Sequence, residues 1–344
     1  MDLQHRLARQ LINIAVSKGM EDMPNDIRRS VRSLIDLGLF FAKSANQKWF
    51  FQTAKKVTAN PRNPYHALIA RMITDVDHDT IKKVGLNLGY SSLIYGAGKL
   101  KKKQEALGLA LPWLLIFDIS EAEHRFFRQL EHYVREGREL GIYSYILCPH
   151  QADDIPAICD IAGRFEACLF VLKTPSGLID EQTARALGKT PNVLVSVQAA
   201  GTDFRLEGPA GAFRLLRRHR CLYGFHVYYN ENTVTQLTAP EYIRSAVGSG
   251  NFFGAYIAEA SVGEACRDAV HTFACRERGE EGQPLVALEW SRDLQNIVGK
   301  ILSGAGHPKA DLGERAYCEY IRAKDMLAGS LPELLLKMKP CPLP

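Results

Sequence analysis

The stretch LPWLLIFDIS, residues 111–120, marks the point where the pattern of the chain changes. Before it, apolar residues recur at helical spacing, whereas after it short apolar runs alternate with amphipathic stretches. Near-continuous apolar runs are typical of parallel strands that are covered on both faces. Strands that alternate with helical segments indicate an α/β architecture. We therefore predict that this stretch contains the first strand of a parallel sheet.

Six further apolar runs follow, and segments with helical spacing separate them. The runs are Tyr143–Cys148, Ala167–Leu172, Val193–Val197, Tyr223–Tyr229, Phe252–Ala258 and Leu285–Trp290. An open, doubly wound sheet would fit this alternation almost as well as a barrel, but the number of strands favours the barrel.

Three segments are predicted. Residues 1–95 form a helical segment, in which Leu7, Leu11 and Ile14 share one helix face. Residues 96–310 form the barrel, and residues 311–344 form a C-terminal helical tail.

Composition excludes several classes of protein. The 344 residues are 46% apolar and 24% charged, which is ordinary for a globular chain. A net charge of +5 without a dense basic face argues against nucleic-acid binding. The start lacks the pattern of a secretion signal, and the eight cysteines are scattered, so a cytoplasmic protein with reduced thiols is expected. No apolar run reaches the ~18 residues of a membrane helix. Peripheral membrane contact through residues 34–42 and 49–51 stays open as an alternative.

Residues 111–120 resemble the first barrel strand of radical-SAM enzymes, in a branch with an N-terminal helical extension and a VPWAILIDPTSACN-like entry. The resemblance continues downstream. The matching stretches are EGRELGIYSYI at 136–146, SGLIDE at 176–181, TDFR at 202–205 and KPCP at 339–342. It implies a radical-SAM-like partial (β/α) barrel of parallel strands behind an N-terminal helical segment.

The chain departs from that family at both of the motifs that hold its cofactors. In the family, a CxxxCxxC loop after the first strand ligates a [4Fe–4S] cluster, and a GGEP motif contacts S-adenosylmethionine. Here Ser120 is followed directly by Glu121, no cysteine precedes Cys148, and residues 147–151 read LCPHQ. A cluster is normally held by thiolates. We therefore expect no cofactor; S-adenosylmethionine binding without iron, and a cluster held by distant residues such as Cys148 and Cys168, are disfavoured alternatives.

Candidate ligand-binding residues follow from the architecture, because barrels place function at the carboxyl ends of their strands. The polar residues at those positions are Asp118, Ser120, Cys148, His150, Lys173, Gln198, Tyr229 and Glu259. The sequence identifies no catalytic residue and no metal site.

Three local patterns could indicate a specific chemical site, but each has a simpler explanation. Cys148 and His150 could form a nucleophile and its base, although Pro149 favours a plain loop. His124 and His132, with neighbouring glutamates, could ligate a metal, although a solvated amphipathic helix explains them. Gly201 and residues 208–211 could form an anion-binding turn, which is a weak signal.

The retained scaffold and the two missing motifs predict a cluster-free pseudoenzyme. It would act as a binding or partner subunit, for instance of an active radical-SAM relative. The alternative is an enzyme whose barrel pocket has been repurposed for a polar small molecule.

Overall fold

Eight parallel strands form one sheet in the computed structural model, which describes residues 3–23, 25–108, 111–119, 124–199, 204, 207–302, 318–322 and 329–337. The first seven strands fall on the seven apolar runs of the sequence. The strands are β1 Leu114–Asp118, β2 Ser144–Cys148, β3 Leu169–Thr174, β4 Val193–Gln198, β5 Tyr223–Tyr229, β6 Phe253–Ala258, β7 Val286–Glu289 and β8 Cys318–Arg322.

The order of the strands distinguishes a barrel from a doubly wound sheet. It is β7-β6-β5-β4-β3-β2-β1-β8, so the first seven strands follow one another in chain order. Because parallel crossovers are right-handed, a constant direction of travel places all the crossover helices on one face. The sheet then buries its other face by curling. Within the described residues β7 and β8 do not pair, which confirms the predicted partial barrel.

Helices precede the sheet and connect its strands. They are α1 Leu3–Asp22, α2 Ile27–Phe41, α3 Ala45–Ala59, α4 Tyr65–Asp75, α5 His78–Leu86, α6 Ala97–Leu107, α7 His124–Leu140, α8 Asp154–Arg164, α9 Glu181–Gly188, α10 Glu207–Arg218, α11 Val234–Leu237, α12 Pro240–Gly248, α13 Glu264–Glu277, α14 Trp290–Leu302 and α15 Leu331–Lys337. A π-helical segment, Asn87–Gly96, joins α5 to α6. The predicted N-terminal helical segment is therefore present. None of the described helices is both long enough and apolar enough to cross a bilayer.

The outer face of the sheet is packed with aromatic side chains. Phe117, Tyr145 and Phe170 are fully buried and stack along β1, β2 and β3, with ring centroids 6.5 and 5.4 Å apart. Phe117 also stacks on Tyr133 of α7, which shows that this face lies under the helices. Side chains alternate along a strand, so residues one position away, such as Ile116 and Ile146, face the inside of the barrel.

The N-terminal helical segment closes the amino ends of the strands. Asn87 donates to the carbonyl of Cys168 at 2.7 Å, and Ser92 shares a hydrogen bond with Ser144 at the start of β2. Further along, Arg71 donates to the carbonyl of Asn251 before β6. The Asn87 and Arg71 contacts satisfy backbone carbonyls that would otherwise be buried without partners. They also leave the carboxyl ends of the strands as the open mouth of the barrel.

The C-terminal region differs from its prediction. Residues 311–344 were expected to form a helical tail, but β8 lies within them and pairs in parallel with β1, with Arg322 opposite Asp118. Within the part of this region that the structure describes, α15 agrees with the predicted helix. A five-residue strand without flanking apolar runs gives little sequence signal, because its stability comes from pairing with β1.

Candidate functional site

The carboxyl ends of the strands bring polar residues together on the inner face. Strand register places Asp118 opposite Cys148, Lys173 opposite Ser196, and Gln198 opposite His226. Residues that are opposite each other in a parallel pair share one face of the sheet. Asp118, Cys148, Lys173 and Gln198 therefore belong to one layer, as the sequence predicted for barrel ends.

Lys173 crosses the inside of the barrel. Its ammonium group donates to the hydroxyl of Tyr228 at 2.7 Å and lies 5.0 Å from the centre of that ring. The lysine is on β3 and the tyrosine on β5, so this contact spans the intervening strand β4. A cation held against an aromatic face is stabilised by the ring quadrupole. The contact fills part of the mouth with side chains.

A buried histidine lies directly beneath this contact. The Nδ1 atom of His226 is 3.1 Å from the hydroxyl of Ser196, and both side chains are buried. Burial, and then the charge of Lys173, lowers the pKa of His226 to about 3. The imidazole is therefore neutral near pH 7. It can exchange hydrogen bonds with a ligand, but it carries no charge there.

Acidification should destabilise the protein through His226. Below its ordinary pKa of 6.5 the unfolded chain binds a proton that the folded protein refuses until about pH 3. His226 therefore costs the folded protein no stability above pH 6.5. As the pH drops below 6.5, the free energy of unfolding falls by about 1.4 kcal/mol per pH unit through this one group. Chemical denaturation of the wild type and of His226→Gln, from about pH 6.5 to about pH 4, measures the difference in slope.

The control for this prediction is His150→Gln, because His150 is exposed. That variant should keep the slope of the wild type. Equal slopes for the wild type and His226→Gln would show that the buried imidazole does not cause the loss of stability in acid.

Cys148 is unsuited to nucleophilic chemistry. Burial raises the pKa of its thiol to about 11, so the thiol stays protonated near pH 7. The charged groups that act on it are Lys173 and Asp118 rather than His150. His150 is exposed, and its backbone N–H donates to the carboxylate of Asp154 at 3.0 Å. The geometry favours the plain loop over a cysteine–histidine pair.

Three of the predicted site residues, His150, Tyr229 and Glu259, do not join this layer. Tyr229 is fully buried on the opposite face of β5, where its hydroxyl donates to Glu289 at 2.8 Å. Glu259 follows β6, is exposed, and accepts a hydrogen bond from Asn230 at 3.1 Å. Ser120 lies outside the described residues.

Four residues of the inner layer were not predicted from the sequence: Ser196, His226, Tyr228 and Arg322. Ser196 and His226 lie two positions before Gln198 and Tyr228, inside runs that read as continuously apolar or aromatic. Arg322 belongs to the unpredicted strand β8. The period-2 spacing from Gln198 would have indicated Ser196, since both must face the same side.

The candidate metal ligands are occupied by other contacts where the structure describes them. His132 lies 3.4 Å from Glu136, and Glu131 forms ion pairs with Arg135 and Arg164. Among the described side chains no group of three or more histidine, cysteine, aspartate or glutamate residues is arranged to hold a metal ion. Of the predicted glycine turn, Gly201 lies outside the described residues, and residues 208–211 lie within α10 near its start.

Comparison with known proteins gives similarity in structure but not in sequence. No protein-family model and no curated protein matches the chain. SuiB from Streptococcus suis, bound to precursor peptide SuiA, matches with 10% identity and a TM-score of 0.47, over 66% of this chain and 62% of SuiB. SuiB bound to S-adenosylmethionine matches with 12% identity and a TM-score of 0.48, over 66% and 60%.

A third match is the tryptophan synthase alpha subunit of Legionella pneumophila, with 10% identity, a TM-score of 0.33, and 67% and 87% of the two chains covered. The chain thus spans about three fifths of the SuiB chains that it matches. At these identities and TM-scores the matches transfer neither a ligand nor a residue role, and the barrel assignment depends on the strand order of the chain itself.

Proposed function

We propose that this protein is a cluster-free, radical-SAM-like barrel that acts without catalysis as a binding or partner subunit of an active relative. The proposal joins two features. The thiolates that would hold a cluster are missing from the first barrel loop, and a helix outside the barrel presents an apolar face to solvent. The second feature carries the partner role.

The described cysteines do not fit a [4Fe–4S] cluster. Cys148 lies at the mouth, whereas Cys168 and Cys221 precede β3 and β5 at the amino ends of the strands. Cys159 lies on α8, and Cys266 and Cys275 lie on α13. Burial raises the pKa of Cys168 and of Cys221 to about 12, so neither offers a thiolate near neutral pH. A cluster needs several thiolates at one place. This arrangement supports the proposal that the chain holds none.

The apolar face of α1 supports a protein partner. Leu7, Leu11 and Ile14 are 52%, 63% and 66% exposed, although they share one helix face. Ile12 points the other way and packs in a small core with Leu86 and Tyr90. Contiguous exposed apolar side chains on a folded protein mark an interaction surface. The α1 face lies away from the mouth, so a partner bound there leaves the mouth open.

Leu11→Glu should weaken the partner complex at least tenfold, because it places a charge in the centre of the buried contact. The experiment co-expresses this chain with a cluster-containing relative from the same genome. It then measures the complex by light scattering after size exclusion, and the dissociation constant by interferometry. Iron and sulfide analysis of this chain alone, after anaerobic reconstitution, should find no stoichiometric cluster.

The matched control is Leu107→Glu, a leucine that is 52% exposed at the end of α6. It should leave the complex unchanged, and both variants should melt like the wild type. The partner role is wrong if no complex forms, if Leu11→Glu binds as well as the wild type, or if the α1 face binds lipid vesicles instead. A stable cluster with cleavage of S-adenosylmethionine would remove the pseudoenzyme assignment.

The second candidate function is an enzyme acting on a polar small molecule at the mouth. What favours it is that Gln198 and Tyr228 are exposed beside the cation of Lys173 and the neutral imidazole of His226, and that Arg322 is exposed opposite Asp118. Native mass spectrometry of the purified chain distinguishes the two functions. A bound small molecule that Lys173→Met releases favours the enzyme, and an empty mouth favours the partner subunit.

A further inference from the structure

A cavity of about 490 Å³ lies at the end of the barrel opposite the mouth. It is bounded by α1 and α5 of the helical segment on one side and by the ends of α7 and α8 on the other. Glu166 and Ala167, which precede β3, complete its wall. Its volume lies within the range of small-molecule sites.

The wall of this cavity is strongly cationic. Arginine or lysine side chains from four different helices line it, and Glu166 is the one acidic residue among the described lining residues. The cationic residues are Arg9, Lys82, Lys83, Arg138 and Arg164. Basic residues in the last turn of α7 and α8 complement those helix dipoles, which explains Arg138 and Arg164 singly. Lys83, in the last turn of α5, has the same explanation, but the helix dipoles do not explain why Arg9 of α1 and Lys82 reach the same space.

Arg9 brings a positive charge into the wall without a bound carboxylate. It donates to the hydroxyl of Ser91 at 2.7 Å, to the side-chain oxygen of Asn87 at 2.8 Å and to the backbone carbonyl of Glu166 at 3.2 Å. All three acceptors are neutral. Burial lowers the pKa of Arg9, a sign that its charge is poorly solvated. The nearby charge of Glu166 acts to raise that pKa but does not offset the burial, so this half-buried cation is only partly neutralised.

Arg138 is a second cation of the wall whose charge is poorly neutralised. Its guanidinium group lies 5.4 Å from the centre of the Phe165 ring, and its buried Nε–H has no hydrogen-bond acceptor. Among the side chains that the structure describes, neither Arg9 nor Arg138 forms an ion pair. The other three cations each have a carboxylate partner. Lys82 pairs with Asp79 and Lys83 with Glu166, both at 2.5 Å, and Arg164 pairs with Glu131 at 3.1 Å, so the unpaired positive charge of the wall comes from Arg9 and Arg138.

We propose that this cavity binds an organic di- or triphosphate, whose phosphate oxygens bridge Arg138 and Arg164 of the barrel and the cations of α1 and α5. Arginine forks match phosphate geometry and form charge-assisted hydrogen bonds. The volume exceeds what a diphosphate group alone requires, so the organic part occupies the remainder. Because the ligand contacts both the helical segment and the barrel, its binding holds α1 against the barrel.

The experiment titrates the full chain with ADP and with inorganic pyrophosphate by calorimetry at about 0.15 M salt, where weak surface attraction is screened. ADP should bind more tightly than pyrophosphate. Arg138→Gln and Arg164→Gln should each weaken binding by roughly tenfold, because each removes a charge-assisted hydrogen bond. Glu166→Gln should strengthen binding about fivefold, because it removes the negative charge from the wall.

The control is Arg244→Gln, which makes the same charge change at an exposed position on α12. It should leave the affinity unchanged. Absence of binding at millimolar probe overturns the site, as does an equal loss in Arg244→Gln. Pyrophosphate binding without ADP binding overturns the organic part of the ligand. If Arg138→Gln does not fold, the exposed Arg164 and Glu166 positions still decide the outcome.

Discussion

Asp293→Ala should lower the free energy of unfolding by about 3–5 kcal/mol, the typical loss when one partner of a buried ion pair is removed. The carboxylate of Asp293 is 8% exposed and accepts both terminal nitrogens of Arg278, at 2.7 and 2.8 Å. It also accepts the backbone N–H of Glu289 at 2.9 Å. Arg278 in turn donates to the carbonyl of Ala287 in β7. The substitution therefore leaves the guanidinium group of Arg278 without its carboxylate partner. That group lies beside β7, the strand at one end of the sheet.

Urea denaturation followed by circular dichroism measures this loss. The matched control is Asp36→Ala, which removes the partner of Lys55 in an ion pair of 2.6 Å where both side chains are 47% exposed. Exposed pairs contribute at most about 1 kcal/mol, so the control should change little. Similar losses in the two variants would mean that burial does not set the strength of the Asp293 contact.

Gly141→Ala should destabilise the protein by about 3 kcal/mol or more, since it combines backbone strain with overpacking. Gly141 has φ of +112°, a conformation that L side chains rarely adopt. A Cβ atom there would lie 2.6 Å from the backbone nitrogen of Leu100 and 2.7 Å from the carbonyl oxygen of Gly96. Both neighbours are backbone atoms, Gly96 at the end of the π-helical segment and Leu100 in α6, so the clash separates these elements from the turn before β2.

Gly98→Ala is the control and should have the opposite sign. Gly98 is in α6, and a Cβ atom there meets nothing within 4 Å. Alanine is favoured over glycine in a helix by roughly 0.5–1 kcal/mol. Thermal denaturation of the two variants should therefore move the midpoint in opposite directions. If Gly141→Ala unfolds at the temperature of the wild type, the close packing of α6 on the β2 turn is wrong.

The local pattern of apolar and polar residues was sufficient to predict the strands of the barrel and the starts of helices. Seven apolar runs predicted seven strands, because a strand covered on both faces needs apolar side chains along its whole length. Short polar side chains likewise begin helices: Asp26 accepts from the backbone of Arg29, and Ser44 forms a capping box with Gln47. The inner layer around Asp118, Cys148, Lys173 and Gln198 followed, because parallel strands end at one edge.

The local pattern could not predict which face of a strand or helix is buried, nor which residues far apart in the chain come into contact. A continuous run such as Tyr223–Tyr229 hides the alternation of side chains, so the sequence could not show that Tyr228 faces the barrel interior and Tyr229 faces the helices. In α1 two apolar faces compete, and packing against Leu86 and Tyr90 selected the one that contains Ile12. β8 and the cationic cavity arise from residues far apart in the chain. Their positions depend on how the barrel closes against the helical segment, which is a property of the packed molecule and of no single stretch of sequence.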